Sequence, residues 1–122
     1  MYESLDVIRT SAAMARHAGR RQALAAVNVA NADTPGFRAQ ALPSFTQTFE
    51  AQGLRATRPG HLGSAGPDGA RAFDQPGESS PNGNTVSLES EMFASAEATR
   101  EQGRAIAIWR HAITVLRTSL GR

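Results

Sequence analysis

The sequence predicts an all-α protein in which two long terminal helices form an antiparallel, coiled-coil-like hairpin, joined by a long, largely irregular middle rich in glycine and proline. Three observations carry this. Residues 2–32 keep apolar and small side chains at three- and four-residue spacing, and residues 88–120 do the same. Between them, residues 53–84 are dominated by glycine, proline, serine and asparagine. The expected segments are an N-terminal helix over 1–33, a turn with an irregular or disordered middle over 34–86, and a C-terminal helix over 87–122.

In the first helix, Leu5, Ile8, Ala12, Ala15, Gly19, Gln22, Ala26 and Val29 fall on one heptad-like seam of mostly small residues. Glu3 and Asp6 occupy the first turns, where the helix dipole favours negative charge. Arg16, Arg20 and Arg21 follow as a solvated face or a surface for an acidic partner. His17 has no second ligand three or four residues away and reads as a surface or seam residue.

The helix should end near Asn31 or Ala32. Thr34 precedes a proline and is pushed out of the helical region. Pro35-Gly36 then has the signature of a type II turn, with glycine supplying the positive φ. Phe37 returns the chain with a large apolar side chain. Asn28 and Asn31, three apart on one helix face, either satisfy this turn or bond to a neighbouring chain. Asn28, Asn31, Asp33, Thr34, Pro35, Gly36 and Phe37 are therefore candidate subunit contacts.

The middle offers one apolar-alternating stretch, Phe45-Thr46-Gln47-Thr48-Phe49, expected as a strand or extended segment. Beyond it come Pro59-Gly60, Gly66-Pro67-Asp68-Gly69, Gln75-Pro76-Gly77 and Ser80-Pro81-Asn82-Gly83. Such composition buries too little apolar surface to offset its ordering entropy, so this run is expected to be disordered or to order only in a complex.

Asn82-Gly83-Asn84 signals a turn. Ser87 is a good N-cap for the last helix, with Glu89 and Glu91 in its first turns and Gly121 just past its end. Its apolar face reads Met92, Ala96, Gly103, Ile106, Trp109, Ile113, Leu116 and Leu120. The interior glycines Gly19 and Gly103 each cost ~1 kcal/mol relative to alanine. An antiparallel register brings Asn31 near Glu91 and Leu5 near Arg117. It also sets the two glycines opposite each other, predicting a close backbone approach there. The combined seam is Leu5, Ile8, Gly19, Gly103, Ile106, Trp109, Ile113 and Leu116. The large apolar side chains of the two helices are too few to order them firmly as an isolated pair. The expectation is marginal stability, or order gained in an assembly.

At 122 residues the chain is expected to be one domain, and without cysteine it holds no disulfide or thiolate metal site. Net charge is only +2, and the pI of 10.4 reflects arginine as the sole cation rather than a strong basic excess. No apolar run reaches the ~18 residues of a membrane span, and no cleaved secretory signal is evident. By these rules alone the chain is cytosolic.

Residues 28–37, Asn-Val-Ala-Asn-Ala-Asp-Thr-Pro-Gly-Phe, resemble the N-terminal signature of the flagellar axial proteins, the rod, hook and hook-associated subunits. Thr57, Pro59, His61 and Leu62, and Asn82-Gly83-Asn84-Thr85-Val86 directly before a helix, resemble the proximal-rod branch of that family. The chain is too short for the β-rich middle domain of the larger members. Residues 63–80 are richer in glycine and proline than the family pattern.

The resemblance implies a structural subunit that stacks helically into the rod, its terminal helices forming an inner coiled-coil layer. It implies self-association, contacts with other rod proteins and with the adaptor at the membrane ring, and export through the flagellar type III apparatus on an uncleaved signal. The location implied is the periplasm-spanning rod of the basal body. Phe45 and Phe49 resemble the Phe-x-x-x-apolar element read by the export gate. No catalytic, cofactor or metal residues and no small-molecule substrate are implied.

Two other classes compete. Arg16, Arg20 and Arg21 with Arg100, Arg104 and Arg110 could form basic stripes of a small nucleic-acid-binding module, whose binding would be salt-dependent. A hydrolase or metal enzyme would have to use His17, His61 and His111, which are widely separated and lack a nucleophile motif.

Overall fold

The computed structural model describes residues 2–53 and 69–121. Its elements are α1 (Tyr2–Ala30), β1 (Gln40–Ala41), α2 (Phe45–Gly53), β2 (Phe73–Asp74) and α3 (Leu88–Ser119). The long helices α1 and α3 pack against each other. Their contacts run in opposite chain directions: Arg21 of α1 meets Glu97 and Glu101, while Gly19 lies against Gln102. The β strands form one short antiparallel pair, Gln40 opposite Asp74 and Ala41 opposite Phe73.

The ends follow from local chemistry. α1 stops at Ala30, and Thr34 to Phe37 closes a turn in which the Phe37 N–H donates to the Thr34 carbonyl at 3.3 Å, with Gly36 at φ 71°. That is the expected type II geometry. Ser87 caps α3 with its hydroxyl accepting from the Ser90 N–H, and Gly121 at φ 71° follows the last turn.

Residues 45–49 are helical rather than extended, which corrects the expectation from their alternation. The signal for a helix was present. Ser44 Oγ accepts from the Gln47 N–H and Gln47 Oε1 accepts from the Ser44 N–H, each at 3.2 Å, a reciprocal capping box. The two phenylalanines are then four apart on one helix face, with ring centroids 5.9 Å apart. The described parts of the middle beyond α2 are irregular apart from β2, and backbone hydrogen bonds join them to the segment after α1, between Gly36 and Asn82, Phe37 and Thr85, and Ala39 and Gln75. Thr57, Pro59, His61 and Leu62 lie outside the described residues, as do Pro59-Gly60 and Gly66-Pro67-Asp68.

The packed seam also differs from the predicted one. On α1 the buried residues are Ser11, Ala18, Ala25 and Asn28, with Ala13 and His17 beside them; on α3 they are Glu91, Ala98, Ala105 and Ala112. Ser11, Ala18, Ala25 and Asn28 on α1, and Glu91, Ala105 and Ala112 on α3, each sit one position before a predicted seam residue, a rotation of about 100° around each helix. Leu5, Ile106 and Trp109 are exposed, Gly103 is exposed, and Ile8, Gly19, Ile113 and Leu116 are half-buried. A Cβ added at Gly103 would meet nothing within 4 Å, so the expected glycine–glycine approach is not made. The reason is steric. Alanine at every seventh position lets two helices come close along their whole length, which bulky side chains prevent. Among the described residues the buried apolar side chains are all alanines, and the largest fully buried side chains are the polar His17 and Asn28.

Candidate functional site

The signature turn and the segment before α3 interlock into one polar hub. Asn28, 1% exposed, is bonded at both ends of its amide to Gln40: Nδ2 donates to the Gln40 carbonyl at 2.8 Å and Oδ1 accepts its N–H at 3.1 Å. Asn31 turns back on its own helix, donating from Nδ2 to the Val27 carbonyl and accepting from Thr34 Oγ1. Asn84, 2% exposed, reaches across 50 residues of chain. Its Nδ2 donates to the Asn31 carbonyl at 2.9 Å and to the Thr34 carbonyl at 2.8 Å, and its Oδ1 accepts from the Val86 N–H at 2.7 Å. Each of those carbonyls also accepts a backbone bond of the turn, from the Thr34 and Phe37 N–H groups respectively, so Asn84 fills a second acceptor site on both.

Backbone bonds extend the lock. The Gly36 N–H donates to the Asn82 carbonyl, the Thr85 N–H to the Phe37 carbonyl, and the Ala39 N–H to Thr85 Oγ1. Gly83, at φ 82°, packs so close that an added Cβ would lie 3.4 Å from Gly36 Cα. Both ends of the Asn28 amide are thus bonded within the chain, the first of the two roles expected for it. Asp33, Thr34, Pro35 and Gly36 are exposed and Phe37 is half-buried. Sequence reasoning flagged Asn84 only as a turn residue. Its role as the central clamp depends on contacts far along the chain.

A second cluster holds α2 to the hairpin. The His17 ring meets Phe45 edge-on at 5.7 Å. His17 is 1% exposed, and neither ring nitrogen has a hydrogen-bond partner. Burial lowers its pKa below the ordinary histidine value, and the Arg21 and Arg20 cations add to this. The Pro43 carbonyl and Glu101 pull the other way, the carbonyl without meeting hydrogen-bond geometry with either nitrogen. Phe45 is half-buried and Phe49 is 49% exposed.

Arg21 is clamped by α3, 2.8 Å from Glu101 and 3.2 Å from Glu97. Arg20 donates to the Ala70 carbonyl. Arg20 and Arg21 of the first expected basic stripe are therefore engaged within the fold, while Arg100, Arg104 and Arg110 are exposed. His111 is exposed and His61 lies outside the described residues. Among the described residues no three histidine or acidic side chains are grouped to hold a metal ion, and no helix is long and apolar enough to cross a membrane.

With alanine facing inward, the large apolar residues face outward. On α3 these are Leu88, Met92, Phe93, Ile106, Ile108, Trp109, Val115 and Leu120; on α1 they are Leu5, Val7, Val27 and Val29. Met92 and Phe93 are 71% and 70% exposed. Known protein families show no match to this chain, and no curated protein matches it significantly.

Proposed function

We propose that the chain is a structural subunit of the bacterial flagellar rod, of the proximal-rod type called FlgB, polymerising through its terminal helices to transmit torque. The observation that carries this is the outward apolar face of α3, from Leu88 through Met92, Phe93, Ile106 and Trp109 to Leu120. Large apolar side chains left exposed in groups, Leu88, Met92 and Phe93 near the start of α3 and Ile106, Ile108 and Trp109 in its second half, mark an interaction surface. The resemblance of residues 28–37 and 82–86 to axial proteins says which assembly, and the terminal helices would form its coiled-coil layer. Its partners would be further copies, other rod proteins and the adaptor at the membrane ring, reached by export through the type III gate.

The test is deletion of the gene, scored for motility and for rod completion in isolated basal bodies. Loss of both, restored by the wild-type chain, is expected; motile cells with complete rods refute the reading. Phe45 would serve the export gate before the chain folds, since its ring is packed on His17 afterwards. Undiminished secretion of Phe45→Ala rules that role out.

A further inference from the structure

Between α1, α3 and the β1 strand lies a cavity of about 390 Å³, lined by Arg21, Leu24, Leu42, Glu91, Phe93 and Glu97 among others. Its charges are unequal. Arg21 is neutralised by Glu97 and Glu101. Glu91 is 3% exposed, and its carboxylate has no hydrogen bond or ion pair. Among unpartnered side-chain polar atoms of the described residues, only the His17 nitrogens are fully sealed from solvent, so the Glu91 carboxylate keeps a small exposure, and Glu91 lines the cavity. A carboxylate this enclosed has lost most of its water without gaining a donor. The rim adds Leu24, Leu42 and the outward ring of Phe93.

We infer that this cavity is a receptor for an arginine side chain of a neighbouring copy of the chain, the guanidinium bonding Glu91 and its stem packing on Leu24, Leu42 and Phe93. A planar guanidinium forms paired bonds to a carboxylate and stacks on an aromatic face, which suits this acid and this rim better than an ammonium. The chain supplies such a group abundantly, because each of its 13 cationic side chains is arginine, and Arg100, Arg104, Arg110 and Arg117 are exposed on α3. The cavity itself stands on the geometry of one chain; the neighbouring copy as donor rests on the assembly reading.

The first arm of the test titrates the full chain with Nα-acetyl-arginine amide, followed by amide chemical shifts in NMR, with the neutral Nα-acetyl-citrulline amide as control. Saturable shifts at Glu91 and Arg21 are expected with the arginine probe, weakened about tenfold or more by Glu91→Gln. Equal binding of the citrulline probe, or shifts untouched by Glu91→Gln, overturns the site. Glu91→Asp keeps the charge and should retain part of the response, separating lost charge from a disturbed fold.

The second arm measures self-association by sedimentation. Glu91→Gln is expected to weaken it about tenfold. Unchanged self-association overturns the neighbouring copy as donor. A chain that binds the probe but never self-associates sinks both that donor and the assembly reading, leaving the cavity as a guanidinium site.

Discussion

Replacing His17 by leucine should make the protein more stable, and increasingly so as the pH falls. The imidazole is buried, both ring nitrogens lack partners, and Arg20 and Arg21 stand near it. A buried polar atom left unsatisfied costs about 1–3 kcal/mol, and leucine removes both. The edge-on contact with Phe45, worth roughly 0.5–1.5 kcal/mol, is lost in exchange. A gain of about 1 kcal/mol is expected for His17→Leu near neutral pH. The pH term has a definite sign. The folded-state pKa of His17 lies below its unfolded value, so between the two the unfolded chain holds more protons. Stability from this residue is full above about pH 6.5, declines below it by up to ~1.4 kcal/mol per pH unit, and is gone once the pH has passed the lowered folded value. The assay is urea unfolding followed by far-ultraviolet circular dichroism from about pH 7.5 to about pH 5, comparing wild type with His17→Leu. Only the difference is read, which cancels the carboxylates common to both. A gap that stays constant across the range, or a variant less stable throughout, refutes the reasoning.

Asn84→Ala should cost about 3 kcal/mol, because it removes three hydrogen bonds of roughly 1 kcal/mol each, one to the Asn31 carbonyl, one to the Thr34 carbonyl and one from the Val86 N–H. Unfolding midpoints check it, and a loss no larger than that of Asn31→Ala would show that the clamp is not central. Gly36→Ala should cost about 1–2 kcal/mol for placing a Cβ residue at φ 71°. Gly83→Ala should cost more, since its Cβ also presses on Gly36 Cα; equal losses would mean that the two loops part freely. Ala105→Leu, at a seam position with no exposure, should lose about 1–3 kcal/mol by forcing α1 and α3 apart. Met92→Ser with Phe93→Ser should leave the unfolding midpoint nearly unchanged and weaken self-association, measured by sedimentation; the reverse pattern would place the packed face on the large apolar residues.

What could be read from the sequence was what a few adjacent residues decide. Pro35-Gly36 forces its turn because one residue fixes φ near −65° and the next tolerates a positive φ, and no distant partner is needed. Ser87 and Gly121 mark the ends of α3 for the same reason. The capping box of Ser44 and Gln47 was equally local, but the polar–apolar alternation around Phe45 pointed to an extended segment instead. The α3 seam differs from the expected one because hydrophobicity is a poor guide to this interface; on α1, where the expected seam is already made of small residues, the packed series is the neighbouring one, Ser11, Ala18, Ala25 and Asn28. Ranking residues by size selects Ile106 and Trp109, while close helix packing selects Ala98 and Ala105. The Asn84 clamp spans some fifty residues, so its partners could not be seen from Asn82-Gly83-Asn84 alone.

These features depend on one another. The hub fixes where α3 begins relative to the end of α1, since Asn84 holds the Asn31 and Thr34 carbonyls three residues before the Ser87 cap. With one end pinned, the side-chain bonds of Arg21 to Glu97 and Glu101 set the axial register further along the pair. In that register the alanines at seven-residue spacing occupy the buried positions, while Met92 and Ile106, one position after buried residues of α3, are exposed and Ile113 is half-buried. A sequence selected only for a stable monomer would place those large residues on the packed face, where each would contribute roughly 1.5–3 kcal/mol. Leaving them exposed while spending alanine inside sacrifices monomer stability for a wide apolar surface. On the assembly reading proposed above, that surface would be covered by other subunits, and the polar hub of Asn28, Asn31 and Asn84 would hold it in a fixed orientation for them.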